Sequence, residues 1–149
     1  MGRILGLDPG ERRVGVAVAD PTGTIASPDR FIDRTREDVA DAVAGLCEEY
    51  GASLIVVGLP VTLDGREGSA AASARALGAE IATATGVDVV FHDERFTTVT
   101  ADQALISGGV RRRKRKEKRD QVAAAVMLQA YLDSRRQDAE AGDNGDARS

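Results

Sequence analysis

The chain has 149 residues, a formal net charge of −4 and 42% apolar residues, which suits one domain around one core. Its single cysteine, Cys47, excludes an internal disulfide framework, and its single histidine, His92, argues against a histidine-based zinc centre. No apolar run is long enough to span a bilayer and no signal peptide precedes the first strand, so the expectation is a cytoplasmic protein without membrane association.

Ile4 to Leu7 is a short apolar run that ends on Asp8, and Pro9-Gly10 supplies turn chemistry. Val14 to Ala19 is a second run with β-branched residues at alternate positions. Asp20-Pro21-Thr22-Gly23 is a second turn, and Thr24 to Ile32 a third strand that Ser27-Pro28-Asp29 would bend or interrupt. Short connections make these three an antiparallel meander. Thr35 with Asp38 three residues on resembles a capping box, and Val39, Val43, Leu46 and Tyr50 follow at helical spacing until Gly51. Ser53 to Leu59 is continuously apolar, the mark of a strand covered on both faces. A polar loop over 62–68 follows it, at the end of the strand where α/β ligand sites usually lie.

Ser69 to Thr85 is an Ala-rich helix ended by Gly86, and Val87 to Phe91 is the fifth strand, closed by His92-Asp93-Glu94-Arg95. Thr98 or Thr100 can cap a short helix to about Ser107, and Gly108-Gly109 breaks it. Asp120 to Leu132 reads as the last helix. The expected fold class is α/β: a mixed five-stranded sheet, an antiparallel β1-β2-β3 meander plus two parallel strands, with helices on both faces. The domain is expected over 1–135, and 136–149 is polar and poor in apolar residues, which predicts a disordered tail.

Three carboxylates should meet. Asp8 ends the first strand and Glu94 follows the last. Asp120 heads the stripe Asp120, Ala124, Met127, Tyr131 on one face of the last helix. Converging carboxylates resist ionising together, and hard divalent cations relieve this. With no Cys or His cluster the site is oxygen-only, so Mg2+ or Mn2+ is expected, as two ions about 3.5–4 Å apart that activate water on a phosphodiester. Arg111 to Arg119 holds eight basic residues in nine, and Arg111, Arg112, Arg113, Lys114 and Lys116 are candidate phosphate contacts. Arg12, Arg13 and Arg95, beside the acidic positions, are candidates as well. No aromatics interleave with the basic run, so phosphate contact is favoured over base stacking there.

Leu5-Gly6-Leu7-Asp8-Pro9-Gly10 through Arg13-Val14-Gly15-Val16-Ala17, then Val57-Gly58-Leu59-Pro60, then Asp93-Glu94-Arg95-Phe96-Thr97-Thr98, then Lys116, Asp120, Ala123-Ala124 and Leu128-Gln129-Ala130-Tyr131-Leu132 resemble the YqgF/RuvX family. The resemblance runs from about residue 3 to 133 with its motifs in order. It implies a ribonuclease H-like fold, a nuclease that matures the 5′ end of 16S precursor rRNA, and an acidic triad at Asp8, Glu94 and Asp120. Branched DNA is the alternative partner, since the family is also described as Holliday-junction resolvases. A non-catalytic RNA-binding factor in ribosome assembly is a reading of another class. An ATP-binding module would need a second such domain, and there is no Walker A motif. Either a monomer or a homodimer suits the sequence.

Overall fold

The computed structural model describes residues 2–61, 65–94 and 122–136. Five strands and two helices are β1 (Arg3–Pro9), β2 (Arg13–Ala19), β3 (Ala26–Asp33), α1 (Val39–Tyr50), β4 (Ala52–Leu59), α2 (Ser69–Thr85) and β5 (Asp88–Asp93), and a C-terminal helix is described over 122–136. The strands form one sheet in the order β3-β2-β1-β4-β5. β1 and β2, and β2 and β3, pair antiparallel; β4 pairs parallel with both β1 and β5. This is the mixed sheet the apolar runs imply.

Each turn has a local cause. Gly10 donates its N–H to the Arg13 carbonyl at 2.8 Å, which closes the β1–β2 turn. The Asp20 carboxylate accepts the backbone N–H groups of Thr24 and Ile25 at 2.8 and 2.9 Å and the Thr22 hydroxyl at 2.6 Å. These hydrogen bonds favour the charged form and hold its pKa at about 2. Pro28 does not break β3, because β3 is the edge of the sheet and, among the described residues, lacks a partner on one side. The pairing shifts there by one residue: Arg30 lies opposite Val16 and Pro28 opposite Ala17, leaving Asp29 as the inserted residue. Asp29 then accepts a hydrogen bond from the Tyr50 hydroxyl at 2.5 Å.

The start of α1 differs from the expectation. Asp38, not Thr35, is the N-cap, and its carboxylate accepts the Asp41 N–H at 3.0 Å. Thr35 is taken by Asp33, whose carboxylate accepts both its N–H at 2.9 Å and its hydroxyl at 2.6 Å. That turn after β3 uses up the hydroxyl, and the helix begins at the next free acceptor. Gly51 and Gly86 end α1 and α2 in the left-handed region, at φ 63° and 70°.

Strand residues alternate between two cores. Under α1 and α2 lie Leu5, Leu7, Val14, Val16, Ile32, Ile55 and Val57 with Val43, Leu46, Cys47, Leu77 and Ile81. Cys47 is a buried core thiol, pushed up in pKa by burial. Under the C-terminal helix lie Ile4, Ala17, Ala19 and Val56 with Ala124, Met127, Leu128 and Leu132. Of the stripe read from the sequence, Ala124 and Met127 are buried and Tyr131 is packed at their side, while Asp120 lies outside the described residues. The helix continues through Arg136, which pairs with Asp133.

Candidate active site

The register carries Asp8 to the C-terminal end of the sheet on the face of the C-terminal helix. Ile4 packs on that face and Gly6 meets Leu128 there, so Asp8 follows at the same two-residue period. Asp8 is a residue of β1, paired with Gly15 of β2. Leu7 pairs with Val57 and Gly58 with His92, so the next step of the register sets Asp8 beside Gly58. Glu94 follows directly on β5 and leans over Gly58. A Cβ on Gly58 would lie 2.2 Å from Glu94 Oε1. The missing side chain is the space that the Glu94 carboxyl fills.

Glu94 is half-buried and hydrogen-bonded through its side chain to Asp8. Two carboxyl groups can share such a bond only when one of them is protonated. Desolvation raises the Glu94 pKa well above the usual carboxylate range; the bond to Asp8 and the charges of Asp8 and Asp93 add to the shift. On the same face His92 meets Tyr131 edge-on, ring centroids 6.1 Å apart at 81°. Burial lowers the His92 pKa, with the charge of Asp93 opposing the shift.

Asp8 and Glu94 thus come together as expected. Asp120 lies outside the described residues, as do Arg95, Arg111, Arg112, Arg113, Lys114 and Lys116 and the short helix expected after Thr98. Among the described residues there is no group of three or more potential ligands; the described part of the site is the Asp8–Glu94 pair. Two half-buried carboxyl groups side by side are hard oxygen donors, so the donor set fits a hard divalent cation. Arg13 lies on the same sheet face, its guanidinium over the Phe31 ring with Cζ 5.3 Å from the centroid. Arg12 is exposed on the β1–β2 turn. Reasoning from the sequence alone missed Gly58 as the floor under Glu94, and a glycine near the end of an apolar strand is the one local signal for it.

A family model described as RuvX, Holliday junction resolvase, matches residues 2–134. The chain belongs to the RuvX family. Curated relatives provisionally named pre-16S rRNA nuclease include one from Lactococcus lactis subsp. cremoris, 43% identical over 135 residues, 89% of this chain and 94% of the relative. Another, from Chloroflexus aggregans, is 45% identical over 134 residues, with 89% and 94% covered. The chain is thus a member of a nuclease family. Among solved structures, Thermus thermophilus RuvC in complex with a Holliday junction substrate aligns with a TM-score of 0.54 at 16% identity, covering 91% of this chain and 96% of that one. The fowlpox virus Holliday junction resolvase aligns at 0.53 and 12%, covering 89% and 98%. These likenesses establish the ribonuclease H-like fold. The sheet brings Asp8 and Glu94 to one end.

Proposed function

We propose that this chain is a divalent-metal-dependent endonuclease that hydrolyses phosphodiester bonds and processes the 5′ end of precursor 16S rRNA in the cytoplasm. The observation that carries the reading is the Asp8–Glu94 carboxyl pair, seated over Gly58 at the C-terminal end of β1 and β5. The names of the curated relatives support the RNA substrate.

Asp8, Glu94 and Asp120 would hold Mg2+ or Mn2+. When bound, the metal supplies a Lewis acid that lowers the pKa of a water and neutralises a leaving oxygen. Asp8 and Glu94 contribute hard oxygen donors that are already desolvated, and Glu94 gives up its proton when the pair is charged. The rigid strand carrying Asp8, and Gly58 beneath Glu94, fix those carboxyls before substrate arrives. Arg12, Arg13, Arg95, Arg111, Arg112, Arg113, Lys114 and Lys116 hold phosphates of the strand. Replacing Arg111, Arg112, Arg113 and Lys114 with Ala should flatten the log–log salt dependence of binding by roughly 3 to 4. An unchanged slope would remove the basic run from the interface.

The test offers purified protein precursor 16S RNA and a four-way DNA junction in parallel, with Mg2+, with Mn2+ and with EDTA. Metal-dependent cleavage of the RNA is expected. Preferred cleavage of the junction would favour a resolvase, the reading that the family description supports. Binding without cleavage of either would make this a non-catalytic assembly factor, and full activity in EDTA would remove the metal. Sedimentation of the same preparation decides between monomer and homodimer.

A further inference from the structure

Aromatic residues are scarce, three Phe and two Tyr in the chain. Tyr50 and Phe91 pack against the core beneath α1 and α2, and Tyr131 against the core beneath the C-terminal helix. Phe96 lies outside the described residues. Among the described residues Phe31 belongs to neither core. It is half-buried on the edge strand β3, and what lies over its ring is the Arg13 guanidinium. A large aromatic kept out of both cores, in a chain that has so few, calls for another use.

The register gives its place. Phe31 is opposite Gly15, and Gly15 is opposite Asp8, so all three share one face. Neighbouring strands are about 4.8 Å apart, which puts Phe31 about 10 Å from Asp8 across a residue with no side chain. That is the span of a nucleotide or two. Arg12, Arg13, Arg34 and Arg36 lie at this corner among Glu11, Asp33 and Glu37, and guanidinium groups suit a phosphate strand.

We propose that the Arg13–Phe31 cation–π pair is a platform for an unpaired nucleobase beside the scissile phosphate, so that the enzyme selects single-stranded nucleic acid at the cut. The proposal rests on the nuclease reading above. A guanidinium plane held against an aromatic ring presents a flat cationic face, on which a base stacks. Every base has a π-face, so the contact tolerates any sequence, but a base within a duplex is already stacked on both sides.

The test is binding, read by fluorescence anisotropy with the Glu94→Gln protein in Mg2+. The probes are a labelled single-stranded RNA of the 16S precursor 5′ junction, its full duplex, and single strands with one abasic site moved along the sequence. Phe31→Leu should weaken single-strand binding by about 5- to 100-fold, the worth of one base–aromatic stack, and leave the duplex unchanged. Phe31→Tyr should stay within about twofold, since the ring is kept. One abasic position should cost the Phe31 protein the same factor and cost Phe31→Leu nothing more. Equal losses on strand and duplex, or no loss, would overturn the platform. Should Phe31→Leu not fold, the abasic scan with Phe31 and with Tyr at this position decides, and the absence of a sensitive position overturns the proposal. If the native enzyme fails to cut the precursor yet the abasic position couples to Phe31, the platform stands and the substrate reading falls.

Discussion

Beneath α1 and α2, strands β1 and β4 contribute Leu5, Leu7, Ile55 and Val57, all fully buried. On the opposite face the same strands contribute Ile4, Gly6 and Asp8, and Leu54, Val56 and Gly58. The first face is filled with branched side chains from one end to the other. The second is apolar at one end and loses its side chains toward the other, where Asp8 and Glu94 sit. Large side chains keep the helices at full packing distance and supply transfer free energy. Small ones admit the C-terminal helix closely at Gly6 and leave a floor for carboxyls at Gly58. One sheet therefore separates its larger core from the carboxyl pair by the parity of its residues.

The largest expected effect lies on the second face. Asp8→Asn and Glu94→Gln should each lower cleavage by at least about 10²-fold while binding persists, the scale of losing one group that acts on the reacting atoms. Single-turnover cleavage beside anisotropy measures this, and a wild-type rate in either variant would detach the pair from the chemistry. On the first face, Ile55→Ala should cost about 2–5 kcal/mol in denaturant unfolding, through lost transfer and a cavity. Its activity per folded molecule should hold.

Gly6→Ala crosses the comparison. The new Cβ would lie 2.8 Å from Leu128 Cβ, and overpacking of this kind costs about 1–3 kcal/mol. The cost should shrink in a Leu128→Ala background; additive losses would mean that the helix approaches less closely than this.

Glu94→Gln should have a second, smaller effect of opposite sign. The Glu94 pKa is raised in the folded protein, so the folded state holds its proton longer than the unfolded state does. The penalty is absent below the unfolded pKa of about 4.3 and grows as pH rises toward the folded value. At pH 7 without metal the variant should be more stable by about 0.5–2 kcal/mol, and the gain should vanish below about pH 4. Mg2+ should narrow or reverse the difference, because it stabilises the native site by mass action. Melts in EDTA and Mg2+ at pH 4 and pH 7 would show it, and a gain independent of pH would contradict the shared proton. The smallest effect belongs to neither face: deletion of residues 137–149 should change stability by less than about 0.5 kcal/mol, since the segment lacks apolar residues to pack. A larger drop in Tm would show that it docks.

The sequence by itself determined what depends on neighbours along the chain. Apolar runs marked β1, β2, β4 and β5, spacing and the glycines at 51 and 86 marked α1 and α2, and the motif blocks named Asp8 and Glu94 and the family. Tertiary structure decided what depends on neighbours across the sheet. Thr35 lost the cap to Asp38 because Asp33, at the end of an edge strand, took its hydroxyl. Pro28 was absorbed because β3 proved to be that edge. Glu94 met Asp8 over Gly58, and Arg13 met Phe31, through pairings that no local pattern encodes. A period of two along a strand is legible in one dimension; which strand lies beside it, and in which register, is fixed only when both faces find their cores.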